Sequence, residues 1–146
     1  MLFRSLQPRY VQLPHGLFDL RQAPMPRFDL LNPSKYNRLT IQTSRGCPHQ
    51  CEFCASSILL TSRYKPKPVE KVIAEIREIK KIWPHPFIEF ADDNSFVHRE
   101  HYKRLLRQLA HEHVRWFTEA DVRVAEEDEL LGLPAAGHSG ARQNLL

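Results

Sequence analysis

A chain of 146 residues, 42% hydrophobic and 26% charged, has the balance of one modest globular domain, which excludes a fibrous or wholly disordered chain. No stretch approaches the roughly 20 consecutive apolar residues of a membrane-spanning helix, and Arg4 and Arg9 interrupt the N-terminal apolar islands, so no membrane association and no signal peptide are expected, and the expected location is cytoplasmic. The net charge of +4 suits an anionic partner, yet Lys and Arg are spread along the chain and form no block, which argues against nucleic acid as that partner.

Residues 1–37 carry Pro8, Pro14, Pro24, Pro26 and Pro33 among short apolar islands, without sustained periodicity, and read as a proline-rich lead-in or linker. Leu39-Thr40-Ile41-Gln42-Thr43 alternates as a strand does, stops at Ser44-Arg45-Gly46 and runs directly into the cysteines. After Pro66 and Pro68, Val69, Val72, Ile73, Ile76, Ile79 and Trp83 recur at helical spacing. Glu70, Lys71, Glu75, Arg77, Glu78, Lys80 and Lys81 fill the other face, with Lys71–Glu75 and Glu78–Lys81 spaced as solvated ion pairs, and Pro84 ends the helix.

Phe87-Ile88-Glu89-Phe90-Ala91 is too short for a helix and reads as a second strand ahead of Asp92-Asp93-Asn94. Tyr102, Leu105, Leu106, Leu109 and Ala110 form the stripe of a second helix. Val114 to Thr118 makes a third strand, and Glu126 to Leu133 a short third helix. Alternating strands and helices predict an α/β fold with a parallel sheet, whose chemistry gathers at the carboxyl ends of the strands. Cys47 to Cys54, Asp92 to Asn94, and Glu119 to Asp121 all fall at such ends. Residues 134–146 read as an irregular tail that offers no fourth strand, so the sheet is expected to be part of a larger one.

Three cysteines within eight residues, Cys47, Cys51 and Cys54, cannot form the paired framework of a secreted domain. Three thiolates on one loop can each hold one iron of a cubane cluster, and the lack of a fourth Cys leaves one iron open to another ligand. Burial as small hydrophobes explains such spacing poorly. A Cys3His zinc site that uses Cys47, Cys51, Cys54 and either His49 or another His is the competing metal reading, and a thioredoxin-like use of Cys51 and Cys54 leaves Cys47 without a role.

Asp92, Asp93 and Asn94 are candidates for capping the following helix or for contacting a cofactor. Glu119 and Asp121 read as loop acids. His98, His101, His111 and His113 read as surface histidines, and Trp83 and Trp116 as packing residues.

Cys47, Cys51 and Cys54, with spacings of three residues and then two and an aromatic just before the last, resemble the signature loop of the radical S-adenosylmethionine (SAM) superfamily. Pro26 to Leu31, Tyr36 to Arg38, Thr43 to Pro48 and Phe90 to Asn94 resemble the members in which a cobalamin-binding domain precedes the barrel. The similarity covers roughly residues 24–133. It implies a partial parallel (βα) barrel of about three strand-helix units over residues 38–133. It further implies a 4Fe-4S cluster on Cys47, Cys51 and Cys54, with S-adenosyl-L-methionine chelated at the open iron and cleaved reductively to methionine and a 5′-deoxyadenosyl radical. Phe53 is then placed near the adenine, and Asp92 and Asp93 near the SAM amino group or ribose. An electron donor such as flavodoxin or ferredoxin, and a small-molecule or macromolecular substrate, are the implied partners. The chain is shorter than the family barrel, so it reads as a truncated fragment in which activity is an open question. The rival function is a non-enzymatic zinc-binding or nucleic-acid-binding module.

Overall fold

The computed structural model describes residues 18–55 and 62–126. Its centre is a parallel three-stranded sheet built from β1 (Leu39–Ile41), β4 (Phe87–Ser95) and β5 (Arg115–Ala120), in the order β1-β4-β5. Leu39, Thr40 and Ile41 pair with Ile88, Glu89 and Phe90, and Phe87 to Phe90 pair with Arg115 to Thr118. Two helices, α1 (Val69–Ile82) and α2 (Arg99–Ala110), make the crossovers between these strands. A separate two-stranded antiparallel ribbon, β2 (Ser44–Arg45) with β3 (Lys65–Pro66), brackets the cysteine loop. The described residues therefore form an α/β fold with three parallel strands and two helices, as the alternation of patterns predicts.

The core follows from two periods. Leu39 and Ile41, and Ile88 and Phe90, alternate inward along their strands, while Val69, Val72, Ile73, Ile76 and Ile79 of α1 and Tyr102, Leu105, Leu106 and Leu109 of α2 meet them as helical stripes. All belong to one buried cluster, so both helices cover the same face of the sheet. The opposite face carries Thr40, Glu89, Ala91, Phe117 and Glu119, which are exposed or half-buried. There Arg38 donates to Glu89 Oε2 at 2.7 Å and lies 5.5 Å from the Phe117 ring.

Several boundaries differ from the sequence-based expectations. The first strand ends at Ile41, and Thr43 instead leads into β2. The second strand does not stop at Ala91 but continues through Asp92, Asp93 and Asn94 to Ser95, across a register shift between Phe90 and Ser95. The lead-in contributes to the packing: Leu20 is buried, and Phe28, in a short 3-10 turn, joins the main core. Val122–Glu126 forms a 3-10 turn, and the rest of the helix expected to Leu133, like the tail of residues 134–146, lies outside the described residues.

The charged face of α1 is only partly solvated. Glu75 is buried and takes both oxygens to Lys67 Nζ at 2.8 and 3.0 Å, so the expected Lys71–Glu75 pair does not form, and Lys71 Nζ donates to Ala23 O at 2.7 Å. The Glu78–Lys81 pair does form, at 2.6 Å. No helix among the described residues is long and apolar enough to cross a membrane.

Candidate functional site

The cysteine loop leaves the sheet layer at its carboxyl edge. Gly46, with φ of 86°, follows β2 and makes the left-handed turn that a residue with a Cβ resists, and Cys47 comes next. All three thiols are free: Cys47 is buried, Cys54 half-buried and Cys51 exposed. A turn hydrogen bond, Cys54 N–H to Cys51 O at 3.0 Å, links the last two. Among the described residues no three His, Cys, Asp or Glu side chains converge as metal ligands do, so the loop brings the thiols onto one segment without drawing them into a ligand set. By the chemistry of its donors the loop fits an iron-sulfur cluster, since three uncommitted sulfurs and no fourth Cys match a cubane with one open iron.

The acids at the end of β4 are tied to this loop. Asp92 lies in phase with Ile88 and Phe90 and so points under the helix layer, where it is 8% exposed. Its Oδ1 accepts from Thr43 N–H at 2.7 Å and Ser44 N–H at 2.8 Å. Its Oδ2 accepts from the Thr43 and Tyr102 hydroxyls in short contacts, and from Ser95 Oγ at 3.3 Å. Ser95 Oγ also meets Thr118 Oγ1 of β5. Burial and the neighbouring Asp92 charge raise the Tyr102 phenol well above its ordinary pKa, so it remains a donor. Burial likewise pushes Tyr64 up to about 12, and its hydroxyl, beside Ser44, has no well-aligned hydrogen bond among the described residues.

Neither Asp92 nor its neighbours cap α2. The N-cap is His98, whose Nδ1 accepts from His101 N–H at 3.3 Å. Asp93 half-emerges and its Oδ2 accepts from Gly46 N–H at 2.9 Å. Asn94 donates to Asp121 Oδ2 at 2.9 Å and accepts from Asp121 N–H at 3.2 Å. His101 is buried too, not on the surface as expected; burial lowers its pKa and its Nε2 has no partner among the described residues.

Asp121, at the end of β5, completes the rim. Its hydrogen bonds from Arg123, the largest influence, hold its carboxyl far below the usual carboxylate range despite partial burial. Its Oδ2 lies 3.2 Å from His49 Nε2, and Arg123 also contacts His49, so a residue between Cys47 and Cys51 is held from β5. The same residues, with Pro48, Ser95, Phe96, Val97, Arg99 and Val124, line a cavity of about 250 Å3 against the loop. Phe96, at φ of 67°, is held in a left-handed conformation uncommon for an aromatic residue.

Sequence reading placed the cysteines, Asp92, Asp93 and Asp121 at strand ends, and the structure brings these acids against the start of the cysteine loop. Phe53 stands apart, 92% exposed. The sequence placed Thr43, Tyr102 and Thr118 within their elements but gave no sign that their hydroxyls, with that of Ser95, gather around Asp92, because a hydroxyl's tertiary partner leaves no periodic signal.

No family model matches the chain. It is 33% identical over 121 residues to a Synechocystis protein named as a methyltransferase, covering 79% of this chain and 23% of that one. It is 31% identical over 125 residues to the hopanoid C-2 methylase of Rhodopseudomonas palustris, covering 79% and 23%. To the hopanoid C-3 methylase of Methylococcus capsulatus it is 30% identical over 112 residues, covering 70% and 20%. The chain spans about a quarter of the length of these curated relatives, and what it is similar to is one segment of proteins named for methyl transfer.

Proposed function

We propose that the chain is the cluster-binding part of a radical SAM methyltransferase, with Cys47, Cys51 and Cys54 holding a 4Fe-4S cluster. The observation that carries this reading is the placement of three free thiols on one loop at the carboxyl edge of a parallel sheet. Among the described residues both helices lie on one face of the sheet, with Thr40, Glu89 and Phe117 on the other, which favours a partial barrel over a sheet covered on both sides. The names of the relatives support methyl transfer as the reaction class.

When bound, the cluster and SAM supply one-electron cleavage of a sulfonium carbon–sulfur bond, which is chemistry that no side chain can perform. The chain's own residues bind and orient. The three thiolates hold the irons, the exposed ring of Phe53 offers a stacking surface for the adenine, and Asp93, half-buried where Asp92 is buried, is the more accessible of the two adjacent acids for a cationic or hydroxyl group of SAM. Electrons come from a flavodoxin or ferredoxin class of donor, and the domain spans residues 38–133 with residues 1–37 leading into it.

Anaerobic reconstitution of the full chain with iron and sulfide tests the proposal. The expected product is a brown protein with about four irons per chain, whose reduced-state EPR signal shifts on adding SAM, and Cys54→Ala is expected to lower the iron content sharply. A colourless chain that takes up one zinc, with His49 or another His as the fourth ligand, would instead favour the zinc-module reading.

A further inference from the structure

We propose that Asp92 and Asp93 act as positioning residues that clamp the segment leading into the first cysteine, holding Cys47 in place before any metal arrives. The inference rests on the cluster reading above only for the purpose of the loop, because its geometry stands in the chain alone. Consecutive residues of one strand point to opposite faces, so Asp92 and Asp93 grip the incoming segment from two sides. Asp92 takes the main-chain N–H groups of Thr43 and Ser44, and Asp93 takes that of Gly46, two residues further on. Between them they accept three of the four N–H groups from Thr43 to Gly46. The donors lie 47 to 49 residues away in sequence, so these contacts are tertiary clamps on the loop.

The remaining contacts fix the clamp itself. Asp92 Oδ2 is bound by hydroxyls from β4, α2 and the segment before β2, and Ser95 links onward to Thr118 of β5. Asp92 therefore has its oxygens occupied by the chain's own donors, which is an arrangement for orienting a loop and not for meeting a ligand. Thr43 also uses its carbonyl, accepting from Lys67 N–H at 2.8 Å, so the return strand is registered against the same residue. Cys47 is the buried thiol of the three and directly follows the clamped segment, whereas Cys51 and Cys54 lie beyond it.

Thiol labelling of the full metal-free chain, with each cysteine resolved by peptide mapping, tests this directly. In the wild type Cys47 is expected to label at least about tenfold more slowly than Cys51. Asp92→Ala is expected to raise the Cys47 rate about tenfold with the Cys51 rate and helical circular dichroism unchanged, since charge-assisted hydrogen bonds are lost. Asp92→Asn retains an oxygen for the two N–H groups and is expected to restore most of the protection, a rescue that general destabilisation would not produce. Asp93→Ala, at a half-buried position, is expected to unlock Cys47 by removing the Gly46 contact alone, and serves if Asp92→Ala does not fold. Ile79→Val, at the opposite end of the strands, is the control. An unchanged Cys47-to-Cys51 ratio in folded Asp92→Ala or Asp93→Ala, or an equal rise in Ile79→Val, overturns the proposal. Labelling as expected in a chain that refuses iron removes the cluster reading and leaves the clamp standing, and iron uptake with an unchanged ratio removes the clamp alone.

Discussion

Lys67 and Glu75 carry the sharpest energetic consequence of any single pair. Both side chains are nearly inaccessible, at 6% and 4%, and Nζ meets both carboxylate oxygens. Two charges removed from water gain little net stability from each other, but removing one leaves the other buried without compensation. Glu75→Gln is therefore expected to lower unfolding free energy by about 3–5 kcal/mol, while the double replacement Lys67→Met with Glu75→Leu is expected to recover most of it. Urea unfolding of the three proteins decides, and a single variant within about 0.5 kcal/mol of the wild type would show the pair to be solvated. The sequence could not announce this pair. Glu75 sits among charged neighbours on a helix, and only the return of β3 to Thr43 brings Lys67 beneath it. Asp92 was hidden for a similar reason: Asp-Asp-Asn is turn chemistry by local propensity, and the tertiary donors from Thr43, Ser44 and Tyr102 override it and carry the strand on to Ser95.

Elements with a strong period were the legible ones. Val69, Val72, Ile73, Ile76 and Ile79 all enter the core as their spacing predicts, and so do Tyr102, Leu105, Leu106 and Leu109. The β2–β3 ribbon left no trace in the sequence, because two-residue strands made of Ser, Arg, Lys and Pro have neither alternation nor β-branched side chains. Its existence follows from where the chain must go after Gly46 turns. The division between the two faces of α1 is measurable. Ile76, fully buried between the sheet and α2, is expected to lose about 2–5 kcal/mol of stability when replaced by Ala, through lost burial and the cavity left behind. Lys81→Ala, on the outer face where the pair with Glu78 is well exposed, is expected to change stability by less than about 0.5 kcal/mol. Equal effects on the two faces, in the same urea experiment, would contradict the packing of α1 against the sheet.

At the scale of the whole molecule, the buried and clamped ionisable groups give folding a pH dependence with two separable parts. His101 is inaccessible, with Nε2 unpartnered among the described residues and the Tyr102 ring edge-on at 5.7 Å, and burial lowers its pKa below the ordinary 6.5. The unfolded chain then takes up this proton more readily than the folded one, so the stability that neutral His101 permits is present above pH 6.5 and declines as pH falls below it. Asp121 and Glu112 add a second decline. Arg123 lowers Asp121, and the charges of Arg77 and Lys80 overcome the burial that would raise Glu112, so both bind protons more weakly than their unfolded values of 3.8 and 4.5. Their contribution is present above that range and is lost as pH falls through and below it, reduced in size because Arg77 and Arg123 are largely exposed and screened by salt. Thermal midpoints measured from about pH 7 down to about pH 3 are thus expected to fall in two stages. His101→Gln is expected to flatten the upper stage while leaving the lower one, and Glu112→Gln to shrink only the lower. An upper stage that persists undiminished in His101→Gln would mean that the imidazole is solvated, and that α2 does not seal the sheet beside Asp92 as the packing requires.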